Sequence, residues 1–496
     1  MSELEVKSCV DRARVASKDW QVLSYKDRAT FIIKAKDILL RDSEKIAELI
    51  SKENGKPVME AFAHDIMPVL DLMKYFAKNT EKILARHKVH LGKWEYIGRR
   101  STIDYYPYGV VGVIAPWNFP LSIPLGEVVM ALMAGNTVVC KPSEYTPKVG
   151  AVMTAIFKEA GLPQDVLHVV QGDGSVGAAL VDAGCDKIVF TGSVNTGKKI
   201  MAACAETLTP VTLELGGKDP MIVFEDADLD LASSAAVWGA FCNSGQICAS
   251  VERVYVHKKI YDEFLTLIIS KTKALRQGDG LSENVDVGAM TAKMQLDKVN
   301  EQVQDAVRKG ATVLTGGCLN AKLSGFYFEP TILVDVDHSF SVVIEETFGP
   351  VMPVMPFDLE EQAIKLANDS DYALNAYVWG RDWVRNHYVA KKLVAGTVTI
   401  NDSVFTHALP QTPWGGPKLS GIGRTHGEEG LKDLVRVRHM HENECVSKKK
   451  YFWWYPYTPE KIVLFKNLAQ AMYGKGPTRL KALIKYLKAM LSIHVS

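Results

Sequence analysis

The sequence predicts an α/β protein of two doubly wound domains, and three observations carry that reading. Short apolar runs of strand length alternate with helical patterns of about 10–15 residues between Val110 and Gly217. A second series of the same kind runs from about 220 to 420. The length, 496 residues, is more than one hydrophobic core usually organises.

In chain order, residues 26–85 read as helices, because apolar and charged residues recur at helical period, with Gly55 and Pro57 as the interruption. From about 88 to 108 the pattern turns strand-like. Strands are then expected at VVGVIAP, NTVVCKPS, VLHVVQG, KIVFTGS and PVTLELGG, with helices between them. Residues 105–126 carry no charge, but Pro107, Pro116, Pro120 and Pro124 would break a spanning helix, so this stretch reads as buried strand and loop near a site.

Composition excludes several classes. Hydrophobic residues make up 47% and charged residues 23%, which rules out disorder, a coiled coil and a collagen-like fibre. Lys+Arg number 58 against 57 Asp+Glu, so there is no basic excess for nucleic acid. The balance is uneven, however. From Cys445 onward nine Lys and one Arg face Glu460 alone, a local +9, which leaves −8 on residues 1–444. The eight scattered cysteines form no CxxC pair and read as the reduced thiols of a cytoplasmic protein, and no ligand set for a metal is visible. The N-terminus lacks the apolar core of a signal peptide.

Three motifs carry chemistry. In SGQICAS, Cys248 has small or polar neighbours that leave space for a nucleophile, whereas an isolated cysteine is ordinarily a small buried hydrophobe. In LELGGKDP, Glu214 ends an apolar strand, where a carboxylate is costly unless solvated or employed. In APWNFPLS, Asn118 sits between prolines as either an oxyanion donor or a turn cap. Nucleotide signals follow. Gly172–Gly177 matches GxGxxG but lacks the later acidic partner. FTGSVNTGKKI runs from strand through a Gly-Ser turn into a helix, a phosphate-binding arrangement. Lys141 and Glu144 of KPSE stand at a strand's carboxyl end, where open α/β sheets bind ligands.

PWNFP, KPSE, FTGS, LELGGK, GQIC, EETFGP and PWGG occur in this order, 23 residues separating Asn118 from Lys141 and 34 separating Glu214 from Cys248. Over about residues 15–443 the chain resembles the aldehyde dehydrogenase superfamily. The resemblance implies a Rossmann variant without a true GxGxxG, leaving Gly172 and Gly177 structural. It implies an NAD-binding domain at 1–87 and 108–215, a catalytic domain at 216–420, and oligomerisation elements at 88–107 and 421–443. The strand near Val435–Asn443 would join a partner subunit's sheet in a homodimer or homotetramer. Residues 444–496 are an added tail.

The resemblance also implies roles. Cys248 would attack the aldehyde, Asn118 and the Cys248 N–H would hold the oxyanion, and Glu214 would be the general base. NAD, with NADP weaker, would be held by Ile114, Trp117, Lys141, Glu144, Gly174, Gly192, Ser193, Leu215, Glu346 and Phe348. Phe119, Ile123, Gly126, Ile247, Phe405 and Trp414 would line a substrate tunnel, with Ser122 and Ala249 beside it, and Gly126 would keep it wide. None of these carries a charge, so an apolar aldehyde, medium- to long-chain or aromatic, is expected. Two other readings share the fold: a CoA-acylating or phosphorylating enzyme, and a catalytically silent scaffold. The chain departs from the family where Thr425 follows Arg424, a place at which some relatives carry a second glutamate.

The tail begins with Lys448–Lys450 and six aromatics within residues 451–457, a composition suited to a membrane–water interface. Beyond Gly476-Pro477, Thr478 would cap a helix whose apolar face is Leu480, Leu483, Ile484, Leu487 and Leu491. An anionic membrane surface is therefore one expected partner, and a neighbouring subunit the other.

Overall fold

The computed structural model describes the whole chain except residues 93–97, 444–452 and 496. It divides into two units, Met1–Arg86 with Asp104–Arg438, and His87–Ile103 with His439–Ser496.

The first unit contains two large sheets. One has the spatial order Gly421–Ile422, Val211–Glu214, Lys187–Thr191, Val110–Ile114, Thr137–Lys141, Leu167–Val169. Its last five strands are parallel, and only the two-residue edge runs antiparallel. The central strands Val110–Ile114 and Thr137–Lys141 are buried along their whole length, which is why they read as unbroken apolar runs. Helices cover both faces. Leu39, Phe76, Leu125 and Met153 pack on one side, and Val10, Leu180 and Ile200 on the other.

The second sheet has the order Thr312–Thr315, Thr331–Val334, Val351–Phe357, Val251–His257, Asp219–Val223, Asn375–Trp379, Thr397–Ile400. Six strands are parallel and the first is antiparallel. The expected change of domain after residue 215 falls in the loop between the strands ending at Glu214 and starting at Asp219.

In the second unit His87–Val89 pairs antiparallel with residues 101–103 of the strand Arg99–Pro107. The strand Val435–Asn443 was expected to extend a partner subunit's sheet. Within this chain it is the edge strand of a three-stranded sheet with these two, and Ser101 Oγ lies 2.8 Å from His441 Nδ1. The tail folds into helices Pro459–Tyr473 and Gly476–Val495. Thr458, not Thr478, supplies a capping side chain, accepting from Lys461 N, while the Thr478 hydroxyl donates to Lys475 O. The last helix is turned relative to expectation: Ala482 and Tyr486 are buried, whereas Leu480, Ile484 and Leu487 are 48–62% exposed. Lys448–Lys450, Tyr451, Phe452 and the side chain of Leu491 lie outside the described residues.

Candidate active site

Cys248 follows a tight turn, Cys242–Gly245, in which Asn243 and Ser244 hold φ of 52° and 54°. Their strain is held by neighbours: Asn243 N donates to both carboxylate oxygens of Glu60, and Ser244 Oγ donates to Gly288 O. The turn is fitted to the Asn118 loop. Asn118 Nδ2 donates to Gln246 O at 3.0 Å, and Asn243 Nδ2 donates to Asn118 O at 3.0 Å. One hydrogen of the Asn118 amide therefore stays available beside Cys248.

A buried ion pair fastens this loop from behind. Lys56 Nζ lies 2.8 Å from Asp65 Oδ2, both side chains fully buried, and donates to Asn118 O at 2.8 Å. Asp65 Oδ1 accepts from Leu121 N and Ser122 N at the start of helix Ser122–Met133, where a negative charge is favourable. Sequence reasoning missed both residues, because nothing near them in the chain reports that helix.

The glycine pair of LELGGK is explained by close approach. A Cβ on Gly217 would lie 2.2 Å from Cys248 O, and one on Gly216 would lie 2.6 Å from Glu346 Oε1. Lys218 then pairs with Glu252 at 2.6 Å, and Glu252 accepts from Thr347 N and Phe348 N. Two distant motifs are thereby drawn to the cysteine.

Two cavities meet at Cys248. The larger, about 610 Å³, is lined by all ten residues expected to hold the cofactor, together with Asn118 and Cys248. Lys141 Nζ sits 2.8 Å from Glu144 Oε2 at its wall, and Trp117 meets Phe348 edge-on at 5.5 Å. Lys199 and Lys298 also line it and were not anticipated. Gly177, read as structural, lies on this wall with open space where a Cβ would stand, whereas a Cβ on Gly172 would meet Val176 at 2.3 Å.

The smaller cavity, about 260 Å³, is lined by Phe119, Ile123, Ile247, Ala249, Phe405 and Trp414 as expected, and also by His64, Trp238, Val404 and His407. Among the described residues no Asp, Glu, Lys or Arg lines it. Burial pushes His64 and His407 down to about 4, so both are neutral at physiological pH. Gly126 lines neither cavity; it is buried in its helix, with Leu72 at 3.2 Å from where its Cβ would be.

Burial changes the acidity of two groups at the site. Burial pushes the Cys248 thiol up, as do the nearby carboxyls of Asp219, Glu346 and Glu214, so at rest it is a thiol rather than a group poised to ionise. Glu214 lines neither cavity. Its carboxyl is buried without a hydrogen-bond partner, beside Gly415, where a Cβ would stand 2.4 Å from Oε1. Burial and then the charge of Glu127 push it well above the usual carboxylate range.

The fold and this site place a cysteine where a nucleotide-sized cleft and an apolar tunnel meet, the arrangement of a dinucleotide-dependent enzyme. The chain belongs to the aldehyde dehydrogenase family, whose description matches residues 1–440. It is 39% identical over 471 residues to a 4,4'-diapolycopene aldehyde oxidase of Methylomonas sp, covering 95% of this chain and 87% of that one. It is 40% identical to the peroxisomal aminoaldehyde dehydrogenase 2 of Pisum sativum, over 90% and 87% of the two chains. An NAD+ complex of an aldehyde dehydrogenase from Bacillus cereus superposes with a TM-score of 0.86 at 37% identity, over 89% of each chain.

Proposed function

We propose that this protein oxidises apolar aldehydes to carboxylic acids with NAD+, through a covalent intermediate on Cys248. The observation that carries the reading is that Cys248 alone of the expected catalytic groups lines both cavities. The large cleft fits a dinucleotide. Lys141, Lys199 and Lys298 bring positive charge, Ser193 opens the helix Val194–Ala205, and the space above Gly174 is clear. When bound, a nicotinamide dinucleotide supplies a hydride acceptor.

The protein's own residues do the rest. Cys248 Sγ adds to the carbonyl carbon as its S–H proton passes to solvent water in the cleft, since burial disfavours a free thiolate, and the carbonyl π pair becomes the oxyanion. The second amide hydrogen of Asn118 and the Cys248 N–H stabilise the oxyanion. Cys248 thus holds the carbon as a hemithioacetal before oxidation and as a thioester after it. Glu214 acts on the thioester, taking a proton from the water that releases the acid. For this its carboxyl must turn away from Gly415 into the cavity, where better solvation lets it ionise. The uncharged tunnel supports an apolar chain.

The test is a graded aldehyde panel with NAD+ and neither CoA nor phosphate present. NADH formation that rises with apolar chain length is expected. A requirement for CoA or phosphate would mark an acylating or phosphorylating enzyme, and no NADH with any aldehyde would mark a silent scaffold.

We further propose an anionic membrane surface as the partner of the tail, and a second copy of the chain as the partner of residues 88–107 and 421–443. The tail leaves Trp454, Tyr455, Tyr457, Ile462, Val463, Leu480, Ile484 and Leu487 exposed among lysines. No helix among the described residues is long and apolar enough to cross a membrane, so this contact would be peripheral. The match to the Methylomonas relative covers 95% of the chain, a span that residues 1–440 cannot contain, so the likeness continues into the tail.

A further inference from the structure

A small void of about 10 Å³ adjoins the apolar tunnel, and His407, Pro68 and Ala408 line both. Ser122 and His426 also line the void. Ser122 Oγ and His426 Nδ1 are both buried without any hydrogen-bond partner, on residues only 5% and 6% exposed. Leaving such groups unpaired is costly, and two at one small void point to a polar occupant. His426 also holds φ at 56°, a conformation that a side chain of this size rarely adopts, so its placement there is enforced by the surrounding fold. The rings of His407 and His426 stand 4.8 Å apart, and Trp414 meets His407 edge-on at 4.8 Å, fixing the connecting side chain.

The chemistry of the lining selects the occupant. Burial keeps both imidazoles uncharged, lowering His407 to about 4 and His426 well below its ordinary value. Two neutral imidazoles and a hydroxyl offer both donors and acceptors. Among the described residues no Asp, Glu, Lys or Arg lines the void, so a carboxylate or an ammonium group would be buried there without a counter-ion. The volume is about that of one water-sized sphere, enough for a single oxygen.

We propose that this void is a substrate subsite that receives one neutral oxygen, a hydroxyl or a carbonyl, carried on an otherwise apolar aldehyde lying in the tunnel. The proposal rests on the reading of the tunnel as the aldehyde site. It adds that Ser122, His407 and His426 set specificity for oxygenated apolar aldehydes over plain ones.

Bulk water offers the same chemistry, and the experiment separates the two sources. The full chain with NAD+ is given aldehydes of one chain length, in which a hydroxyl is moved outward carbon by carbon from the position next to the aldehyde, with the unsubstituted parent alongside. At one position kcat/KM should exceed the parent's by about tenfold, the worth of one neutral hydrogen bond made in place of water's. In Ser122→Ala and His407→Phe the ratio of hydroxylated to parent aldehyde should fall toward one; using the ratio cancels any general loss of activity. A wild-type ratio at or below one at every position means that the void takes only bulk water, and the proposal fails. A preference that both variants leave intact lies elsewhere in the tunnel and also overturns it. Failure to oxidise even the parent would sink the tunnel reading, and the subsite with it.

Discussion

Cys248 alone of the expected catalytic groups lines both the cleft and the tunnel, so Cys248→Ser should abolish aldehyde oxidation, the hydroxyl being a far weaker nucleophile near neutral pH. Because its thiol is pushed up, wild-type kcat/KM should rise with pH across the neutral range. Glu214→Gln should separate the two halves of the reaction. A stopped-flow trace should show about one NADH per site, followed by collapse of steady turnover; an undiminished steady rate would remove Glu214 from deacylation. Glu144, paired with Lys141 at the cleft wall, should disfavour the 2′-phosphate of NADP+. Screened repulsion on the order of 1 kcal/mol, partly offset by Lys141, corresponds to a preference of about tenfold or less for NAD+. Equal kcat/KM for the two cofactors would remove Glu144 from that role.

At the scale of elements, helix Ser122–Met133 is buried at every position, and Glu127 is its only ionisable side chain. Burial and then the charge of Asp433 push its carboxyl to about 8, with Lys187 opposing. The sign follows from linkage. Between the ordinary value of 4.5 and about 8, the folded chain keeps a proton that the unfolded chain releases, so this group costs stability increasingly as pH rises through that window. Glu127→Gln removes the titration. The Tm of the variant relative to wild type should therefore climb from about pH 5 to pH 8. A difference that stays flat with pH would show that Glu127 ionises normally. The same helix begins on Asp65, whose pairing with Lys56 ties it to the Asn118 loop. A carboxylate and an ammonium taken out of water together are held by each other and by backbone groups, and removing either one would leave a buried unpaired charge.

For the molecule as a whole, charge is unevenly distributed along the chain. The segment from Cys445 carries +9 and the remainder −8, and the described tail exposes tryptophan, tyrosine and aliphatic side chains among its lysines. Attraction of about 1 kcal/mol per basic residue would give reversible binding to anionic lipid, weakened by salt. Co-sedimentation with phosphatidylserine vesicles at low salt should pellet the full chain, but not one truncated after Asn443. If both stay in the supernatant and truncation instead lowers the mass in solution, the tail is a contact between subunits.

The sequence by itself determined the α/β class, the parallel strands and the residues that come to line the larger cavity. Strands such as Val110–Ile114 and Thr137–Lys141 are buried on both faces and read as unbroken apolar runs, and the ligand-binding turns sit at their ends as local motifs. It also singled out Cys248 and Asn118, which the fold brings to one cavity, since small neighbours and flanking prolines are local signals. The tertiary structure alone decided what depends on distant partners. His64, Trp238 and His407 enter the tunnel from three separate segments, and Lys56 and Asp65 reach the site through backbone carbonyls and amides far along the chain. Gly126 left the tunnel because Leu72 packs on its helix face, and Glu214 withdrew to Gly415. The final helix buried Ala482 and Tyr486 instead of its more apolar side. Periodicity marks the apolar residues of an element, but the neighbouring elements decide which of them are covered, and that information lies in no local stretch of the chain.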